Sequence, residues 1–510
     1  MIYRDMFDAI CLLKSPRARE VRKMDRKDFA NLNDYNLTML TDFYEITMAN
    51  GYFNSEQRDA EACFDVFFRR VPDGGGFAIM AGLEQIIAYM KRLKFMEEDI
   101  EFLRSKNMFS EGFLDYLKDL EFTCDVWSVP EGYPIFPYEP VMIVKGPLMQ
   151  AQFVETFILM QFNHQSLIAT KSNRIVRSAQ GRPVMEFGTR RAQGADAAVY
   201  GARAAYIAGC AGTACTIADR NHFVPALGTM AHSWIQSFDS EYEAFKVYTE
   251  QYPQNATLLI DTYNVLKSGL PNAIKVFKEL KPERMGVRID SGDITYLTRE
   301  CRKVLDEEGL QECKIVVSNS LDEYIIRDVI QEGAQIDSFG VGERLITARS
   351  EPVFGGVYKL SGVGKPGEKL EPRMKVSENI EKITNPGFKK LVRFFSKETG
   401  KALADLIMLR DEPLPDGSPF EIFDPLAVWK RKMLENYEAK ELLVQIFDKG
   451  KLVYKEPDIE EIRETCEKQI DTLWSETLRF ENPQTYYVDL SKPLWDLKHE
   501  LLHQYGADNM

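Results

Sequence analysis

From about residue 165 to residue 342 the chain repeats one unit: a short apolar run, a polar or glycine-containing loop, then an amphipathic stretch closed by glycine. Pro183–Phe187 precedes Gly188-Thr189-Arg190-Arg191, and the helical stretch from Ala195 ends near Gly209. Thr257–Ile260 precedes Asp261, and Met285–Ile289, which carries Arg288, precedes a helix from Ile294 that stops at Gly309. Lys314–Val317 precedes Ser318-Asn319-Ser320, whose helix ends at Gly333, and Ile336–Phe339 precedes Gly340-Val341-Gly342. Strand and helix alternating at this spacing specify parallel βα units, because a helix must carry the chain back over the sheet before the next parallel strand. So many units in succession point to an α/β fold built on an irregular βα barrel rather than an open sheet. In either arrangement reactive groups belong at the carboxyl ends of the strands.

The flanks follow other patterns. Residues 36–164 form an N-terminal α+β domain: a helical pattern from Leu37 through Met48 stopped at Asn50-Gly51, alternation over Ala62–Phe68, the turn at Pro72–Gly76, and Pro-rich antiparallel strands from Val126 to Val144. Residues 165–365 form the barrel, and after Val357–Leu360 the chain is rich in Gly, Pro and Lys through residue 375. Residues 366–510 form a C-terminal extension with extended segments at Val444–Phe447 and Leu452–Tyr454 and a helical stretch from Ile459 to Leu478. Residues 1–35 are a charged extension with Arg17, Arg19, Arg22, Lys23 and an apolar patch at Ile10–Leu13; Met24 is a candidate native start.

Composition excludes several function classes. A chain of 510 residues, 45% hydrophobic, can bury a large core, and its net charge of −14 is the wrong sign for neutralising nucleic-acid phosphates. No apolar stretch is long enough to span a bilayer and no secretory signal opens the chain, so a cytoplasmic protein is expected. The eight cysteines lack CxxC pairs and read as reduced core thiols; Cys210 and Cys215 have no His or Cys cluster beside them.

Three polar clusters stand out. His232, one of only five histidines, lies in Gly228-Thr229-Met230-Ala231-His232-Ser233-Trp234 after the apolar run Phe223–Leu227. It is either a satisfied core histidine or a nucleophile or general base whose ring Asp261, at the next strand end, would support. Arg288, Asp290 and Asp293 share one turn: the carboxylates can accept from ribose hydroxyls or hold hydrated Mg²⁺, and the guanidinium can pair with anionic oxygens. Their bland alternative is an Asp–Arg pair capping the next helix. Arg190 and Arg191 precede a helix start, where backbone amides also favour anions, and Gly340 and Gly342 permit close approach of backbone to a phosphate. His164 and His222 lack comparable partners and are structural, and the Met and Phe residues of Phe153–Phe162 line a core or interface.

In this order the motifs Leu40-Thr41-Asp42-Phe43-Tyr44, Glu186-Phe187-Gly188-Thr189-Arg190-Arg191-Ala192, Gly228-Thr229-Met230-Ala231-His232-Ser233, Ile260-Asp261-Thr262-Tyr263 and Gly286-Val287-Arg288-Ile289-Asp290-Ser291-Gly292-Asp293 resemble the nicotinate phosphoribosyltransferase family, over about residues 36–400. The resemblance implies formation of nicotinate mononucleotide and diphosphate from nicotinate and phosphoribosyl pyrophosphate, coupled to ATP hydrolysis, in the salvage route to NAD. It implies an irregular α/β barrel joined to an N-terminal domain, and a homodimer with active sites at the subunit interface. By this likeness His232 is the histidine phosphorylated by ATP, Asp261 supports it, and Tyr44 stacks on the pyridine ring from the partner subunit. Thr229 and Arg288 contact nicotinate, and Arg190 and Arg191 bind anionic groups. Asp290 serves the ribosyl or magnesium-bound part, with Asp293 as a second metal carboxylate. Ser318, Gly340 and Gly342 line the substrate site, with the glycine loop at the 5′-phosphate. Lys375, Lys382, Lys389 and Arg393 resemble a basic segment that reaches diphosphate. Family members often place Thr after the GxG, whereas Glu343 stands here, so its carboxylate must point away from phosphate or leave only its amide there.

Rival readings share parts of this pattern. Nicotinamide phosphoribosyltransferases carry an Asp after the equivalent of Gly212-Thr213 that accepts from the carboxamide; Ala214 stands here and leaves an anionic carboxylate unopposed. Quinolinate phosphoribosyltransferases are usually shorter and need no ATP. A metal-dependent lyase would want clustered His and carboxylate ligands. A noncatalytic barrel protein would lack the matching loops.

Overall fold

A computed structural model describes residues 36–506, so the expectations for residues 1–35 lie outside the described residues. The first element, α1 (Phe43–Phe53), departs from the expected stop: it runs through Asn50-Gly51 and closes at Asn54. The reason is aromatic packing. Phe53 meets Phe113 at 5.9 Å and Tyr116 at 5.7 Å between ring centroids, and their burial offsets the roughly 1 kcal/mol that an interior glycine costs a helix.

Strands β1 (Glu61–Phe67), β2 (Asp125–Ser128) and β3 (Met142–Pro147) pair antiparallel in the order β1-β3-β2. The long helix α2 (Glu155–Ser178) then leads to the repeated units. These are β4 (Val184–Glu186), α3 (Ala195–Ile207), β5 (Gly212–Thr213), β6 (Ala256–Leu259), β7 (Met285–Ile289), α4 (Ile294–Glu307), β8 (Lys314–Ser318), α5 (Glu323–Gln331) and β9 (Ser338–Val341). All six strands run parallel in the order β5-β4-β9-β8-β7-β6. The glycine stops work as expected, Gly309 and Gly333 taking φ of 77° and 84° past the ends of α4 and α5.

The parallel sheet curves as part of a barrel wall, irregular between β5 and β6. There the apolar run Phe223–Leu227 is not a full strand. Phe223 is the left-handed cap of the helix Thr216–His222, with φ 57°, and is 76% exposed; only Ala226 forms a parallel bridge, to Thr213. The next residues cross towards β7, which brings Thr229 and Met230 against Arg288.

The remaining strands do not follow the chain order of the expected domains. β10 (Val357–Gly364) leaves the parallel sheet and pairs antiparallel with β1 along its whole length. β11 (Lys389–Ser396), β12 (Ala402–Leu409) and β13 (Tyr437–Glu441) form a separate sheet, whereas β14 (Val444–Asp448) returns to pair with β2. After α6 (Ile459–Asp471), β15 (Val488–Leu490) completes the separate sheet beside β12. The last region also braces the barrel: Arg463 of α6 donates to the carbonyls of Tyr206, Gly209 and Cys210, where α3 ends. Elsewhere, Lys171 of α2 ties Asp73 at 3.0 Å to Glu323 of α5 at 2.8 Å, a buried bridge between the N-terminal part and the barrel.

Candidate active site

The carboxyl ends of β6, β7 and β8 and the loop that crosses from β5 converge on Arg288 and His232. Arg288 is the one polar side chain in Met285–Ile289, whose neighbours Val287 and Ile289 are fully buried. Its guanidinium spreads over three partners: Nε donates to Ser318 Oγ at 2.9 Å, Nη1 to Thr229 Oγ1 at 2.9 Å, and Nη2 to Asp290 Oδ1 at 3.1 Å. The Phe187 ring lies beneath it, 5.6 Å from centroid to guanidinium carbon, a cation–π contact on the apolar side of the site. Ser318 Oγ in turn donates to Asp290 Oδ1, so four strand ends or loops are locked through one cation.

His232 opens the short helix His232–Gln236 and is 40% exposed. Its Nδ1 pairs with Thr262 Oγ1 at 3.1 Å, and its Nε2 lies 3.9 Å from both Asp261 Oδ1 and Asp290 Oδ2. Asp261 therefore supports the ring electrostatically and not through a direct hydrogen bond. Its other oxygen, Oδ2, accepts from the Asp290 amide at 3.1 Å and from Ser291 Oγ at 2.5 Å, while Oδ1 is buried without a hydrogen-bond partner among the described residues. A ring with one nitrogen engaged presents the other to a reactant. The arrangement offers a guanidinium, two carboxylates and an imidazole nitrogen within one cluster.

The models of the nicotinate phosphoribosyltransferase N-terminal domain, family and C-terminal domain match residues 39–163, 183–411 and 388–498. A nicotinate phosphoribosyltransferase of Bacillus subtilis is 40% identical over 473 residues, covering 92% of this chain and 96% of that relative. The chain belongs to the nicotinate phosphoribosyltransferase family. The human relative is 31% identical over 524 residues, covering 91% of this chain and 96% of its own. The crystal structure of human nicotinic acid phosphoribosyltransferase superposes with a TM-score of 0.80 at 30% identity, covering 91% of this chain and 99% of that one. A nicotinate-nucleotide pyrophosphorylase from Pyrococcus furiosus shares the fold, with a TM-score of 0.66 at 24% identity, over 88% and 99% of the two chains. An irregular βα barrel with flanking N- and C-terminal parts is the architecture of this family.

Other residues singled out from the sequence fall around this cluster or away from it. Arg190 and Arg191 sit on a single exposed turn, Thr189–Arg191, after β4, and neither has a side-chain partner among the described residues. The turn is held from below by Glu186, fully buried, which accepts from the Gly188 amide and from Thr213 Oγ1; burial pushes its carboxyl above the usual range. Gly340 is tight for an internal reason: a Cβ there would lie 2.5 Å from the Phe187 ring and 3.4 Å from Ser318 Cβ, whereas at Gly342 it would meet the Phe187 carbonyl at 3.1 Å. Glu343 pairs with Arg349 at 3.3 Å. Ala214 is exposed just past β5, with its amide on the Glu186 carbonyl.

Two expectations need correction. Asp293 caps α4, accepting from the Tyr296 amide at 2.7 Å, so this carboxylate serves the helix; no pair joins it to Arg288. Lys389 and Arg393 are not free to reach diphosphate: Lys389 is buried against Asp65 at 2.8 Å, and Arg393 is wholly buried in a two-pronged pair with Asp405 at 2.8 and 2.7 Å. Lys375 and Lys382 of that segment are exposed. Tyr44 lies on α1, 43% exposed, and among the described residues no hydrogen bond, ion pair or ring contact joins it to the His232 cluster of its own chain. His164 is half-buried on α2, and His222 faces Glu84 at 3.5 Å. Phe187, Thr262 and Ser291 carry the cluster without having been singled out individually.

Proposed function

We propose that this chain carries out the reaction of its family: nicotinate and phosphoribosyl pyrophosphate combine to nicotinate mononucleotide and diphosphate, with ATP hydrolysis coupled to the synthesis, in NAD salvage. The observation that carries this reading is the Arg288 fork on Thr229, Ser318 and Asp290 beside His232, within a chain that matches the family along nearly its whole length.

In this reading Arg288 and the Thr229 hydroxyl bind the nicotinate carboxylate, a planar anion suited to a guanidinium fork. The pyridine nitrogen then attacks ribose C1 as the C1–O bond to diphosphate breaks, the bonding pair leaving with the diphosphate. Positive charge grows on the ribosyl carbon, and Asp290 is the carboxylate placed to stabilise it and its hydroxyls. Arg190 and Arg191, exposed and without side-chain partners among the described residues, meet phosphate oxygens, and Ser318 with the Gly340 and Gly342 backbone receives the 5′-phosphate.

Mg²⁺, when bound, neutralises the departing diphosphate. Among the described residues no group of three or more His, Cys, Asp or Glu could hold a metal ion. The free oxygens Asp261 Oδ1 and Asp290 Oδ2 nevertheless fit an ion that arrives with phosphate and keeps most of its waters. Asp293 does not join them, because its carboxylate caps α4.

The coupling step is assigned to His232 Nε2. It attacks the γ-phosphorus of ATP, the P–O bond to ADP breaks, and later hydrolysis of the P–N bond by water releases phosphate. Thr262 on Nδ1 and Asp261 and Asp290 beside Nε2 orient the ring and stabilise it when it is charged. A homodimer is part of the proposal, with Tyr44 reaching the partner's pyridine site, as is a cytoplasmic location. No helix among the described residues is long and apolar enough to cross a membrane.

The nicotinate preference rests on Ala214, which sets no carboxylate against the substrate's own. The test is product formation by purified protein from nicotinate or nicotinamide, with phosphoribosyl pyrophosphate and Mg²⁺, with and without ATP. Nicotinate mononucleotide that rises strongly with ATP supports the reading. Equal use of nicotinamide, or no product under either condition, refutes it.

A further inference from the structure

We propose that Glu45 is a positioning residue for nicotinate binding: its buried carboxyl ties the loop Thr41–Tyr44 to the start of α2 and thereby sets where Tyr44 projects. The proposal rests on the reading that Tyr44 serves the pyridine ring of a partner subunit, and it concerns a residue with no contact to the His232 cluster.

Glu45 is fully buried one residue after Tyr44, although it lies in the first turn of a helix whose neighbours Phe43 and Tyr44 are exposed. Its two oxygens are used by two different segments. Thr41 Oγ1 donates to Oε2 from the loop before α1, and Thr156 Oγ1 donates to Oε1 from the first turn of α2. Thr156 Oγ1 also accepts from the Asp42 amide at 3.1 Å, so one hydroxyl and one carboxyl pin both sides of Tyr44 to α2. On its exposed side the segment carries Leu40, Phe43, Tyr44 and Met48, each 37 to 46% exposed, and the Tyr44 hydroxyl itself lies against Glu155 of α2.

The same place concentrates negative charge. From its own segment Asp42 and Tyr44 face Glu45; Glu155 faces it from α2, Tyr89 from the helix Leu83–Met90, and Tyr358 from β10. The nearby cation is Lys359 of β10, set against Glu155. Burial, with the added charge of Glu155 and Asp42, raises the Glu45 carboxyl to about 7 in spite of the two hydroxyl donors. Two donors on one carboxyl suit its ionised form; the proton taken up below about pH 7 needs an acceptor of its own and displaces one of them. The loop is therefore held best above that pH, and its hold weakens as the pH falls.

The experiment measures kcat and KM for nicotinate and for phosphoribosyl pyrophosphate with the full chain, from about pH 6 to about pH 8, in wild type, Glu45→Gln, Thr156→Val, Thr156→Ser and Tyr44→Ala, with thermal melts to show that each is folded. The wild-type KM for nicotinate should rise as pH falls through about 7, while the KM for phosphoribosyl pyrophosphate stays flat. Glu45→Gln and Thr156→Val should raise the nicotinate KM about three- to tenfold, the scale of one lost hydrogen bond, with kcat little changed and the pH dependence of KM gone in Glu45→Gln. Thr156→Ser, which keeps the hydroxyl, should behave as wild type. If Tyr44→Ala raises the nicotinate KM but Glu45→Gln and Thr156→Val do not, the positioning role is wrong. If Tyr44→Ala also leaves it unchanged, or wild type does not use nicotinate, the reading beneath it fails and the proposal with it.

Discussion

Arg288→Lys isolates what the guanidinium fork contributes, because it keeps the positive charge and removes the geometry. In the structure Nε, Nη1 and Nη2 are spent separately on Ser318, Thr229 and Asp290 at 2.9, 2.9 and 3.1 Å, and the side chain is only 16% exposed. A lysine ammonium in the same channel keeps Asp290 by charge, but it cannot span Ser318 and Thr229 at once or lie flat over Phe187. In the proposed complex two of these donors turn to the nicotinate carboxylate, a pair that lysine cannot supply, at about 1.5 kcal/mol each, and slight solvent access returns part of that. The loss of transition-state stabilisation is then about 2–3 kcal/mol, or about 30- to 150-fold in kcat/KM for nicotinate. Steady-state rates at saturating phosphoribosyl pyrophosphate and ATP measure it, with a thermal melt as control for folding. A folded Arg288→Lys enzyme within threefold of wild type would refute the assignment and leave Arg288 as a strut between strand ends.

Arg393→Met should destabilise the fold by about 3–5 kcal/mol, because it leaves Asp405 buried and uncompensated; urea melts measure this. A stable Arg393→Met protein with a raised KM for phosphoribosyl pyrophosphate would restore the diphosphate role that the buried pair argues against. Asp261→Asn keeps an acceptor for the Asp290 amide but removes the charge beside His232 Nε2. ATP stimulation should fall about tenfold or more while the stability changes by less than about 2 kcal/mol, and unaltered ATP stimulation would contradict it. Burial, then the charge of Asp424, raise Asp489 to about 7. The native state thus holds a proton that the unfolded chain has lost above about pH 4, so this group's stabilisation is full below that pH and is lost as pH rises towards 7. Asp489→Asn should flatten the decline in stability between about pH 5 and pH 7.5, and equal slopes in the two proteins would exclude the effect.

The barrel was legible because its signals are local. Apolar runs of four or five residues, glycines that close helices at positive φ, and polar residues just past each run all lie within one βα unit, and each states where a strand ends. That is why Thr229, Asp261, Arg288, Asp290 and Ser318, read as separate loop residues, meet in one hydrogen-bonded cluster with His232 or within 4 Å of it. Asp293 was also readable, since it directly precedes the apolar periodicity of α4 at an N-cap position; treating it as a metal ligand set chemistry above the helix-start rule.

What was not legible depends on pairs far apart in sequence. Nothing in Val357–Gly364 announces that it abandons the parallel sheet for β1, because an antiparallel partner some three hundred residues away leaves no periodic trace in either strand. The same distance hides the fate of Lys389 and Arg393. In sequence they are cations near a Pro-Gly turn, as a phosphate site would have; in the fold they alternate inward along β11 and are neutralised by Asp65 and Asp405. A basic residue is a candidate anion site only where no carboxylate from elsewhere has claimed it, and that is a property of the tertiary structure. Arg190 and Arg191 pass this criterion and Lys389 and Arg393 fail it. Of the four, the first two are therefore the cations left open to an anion among the described residues.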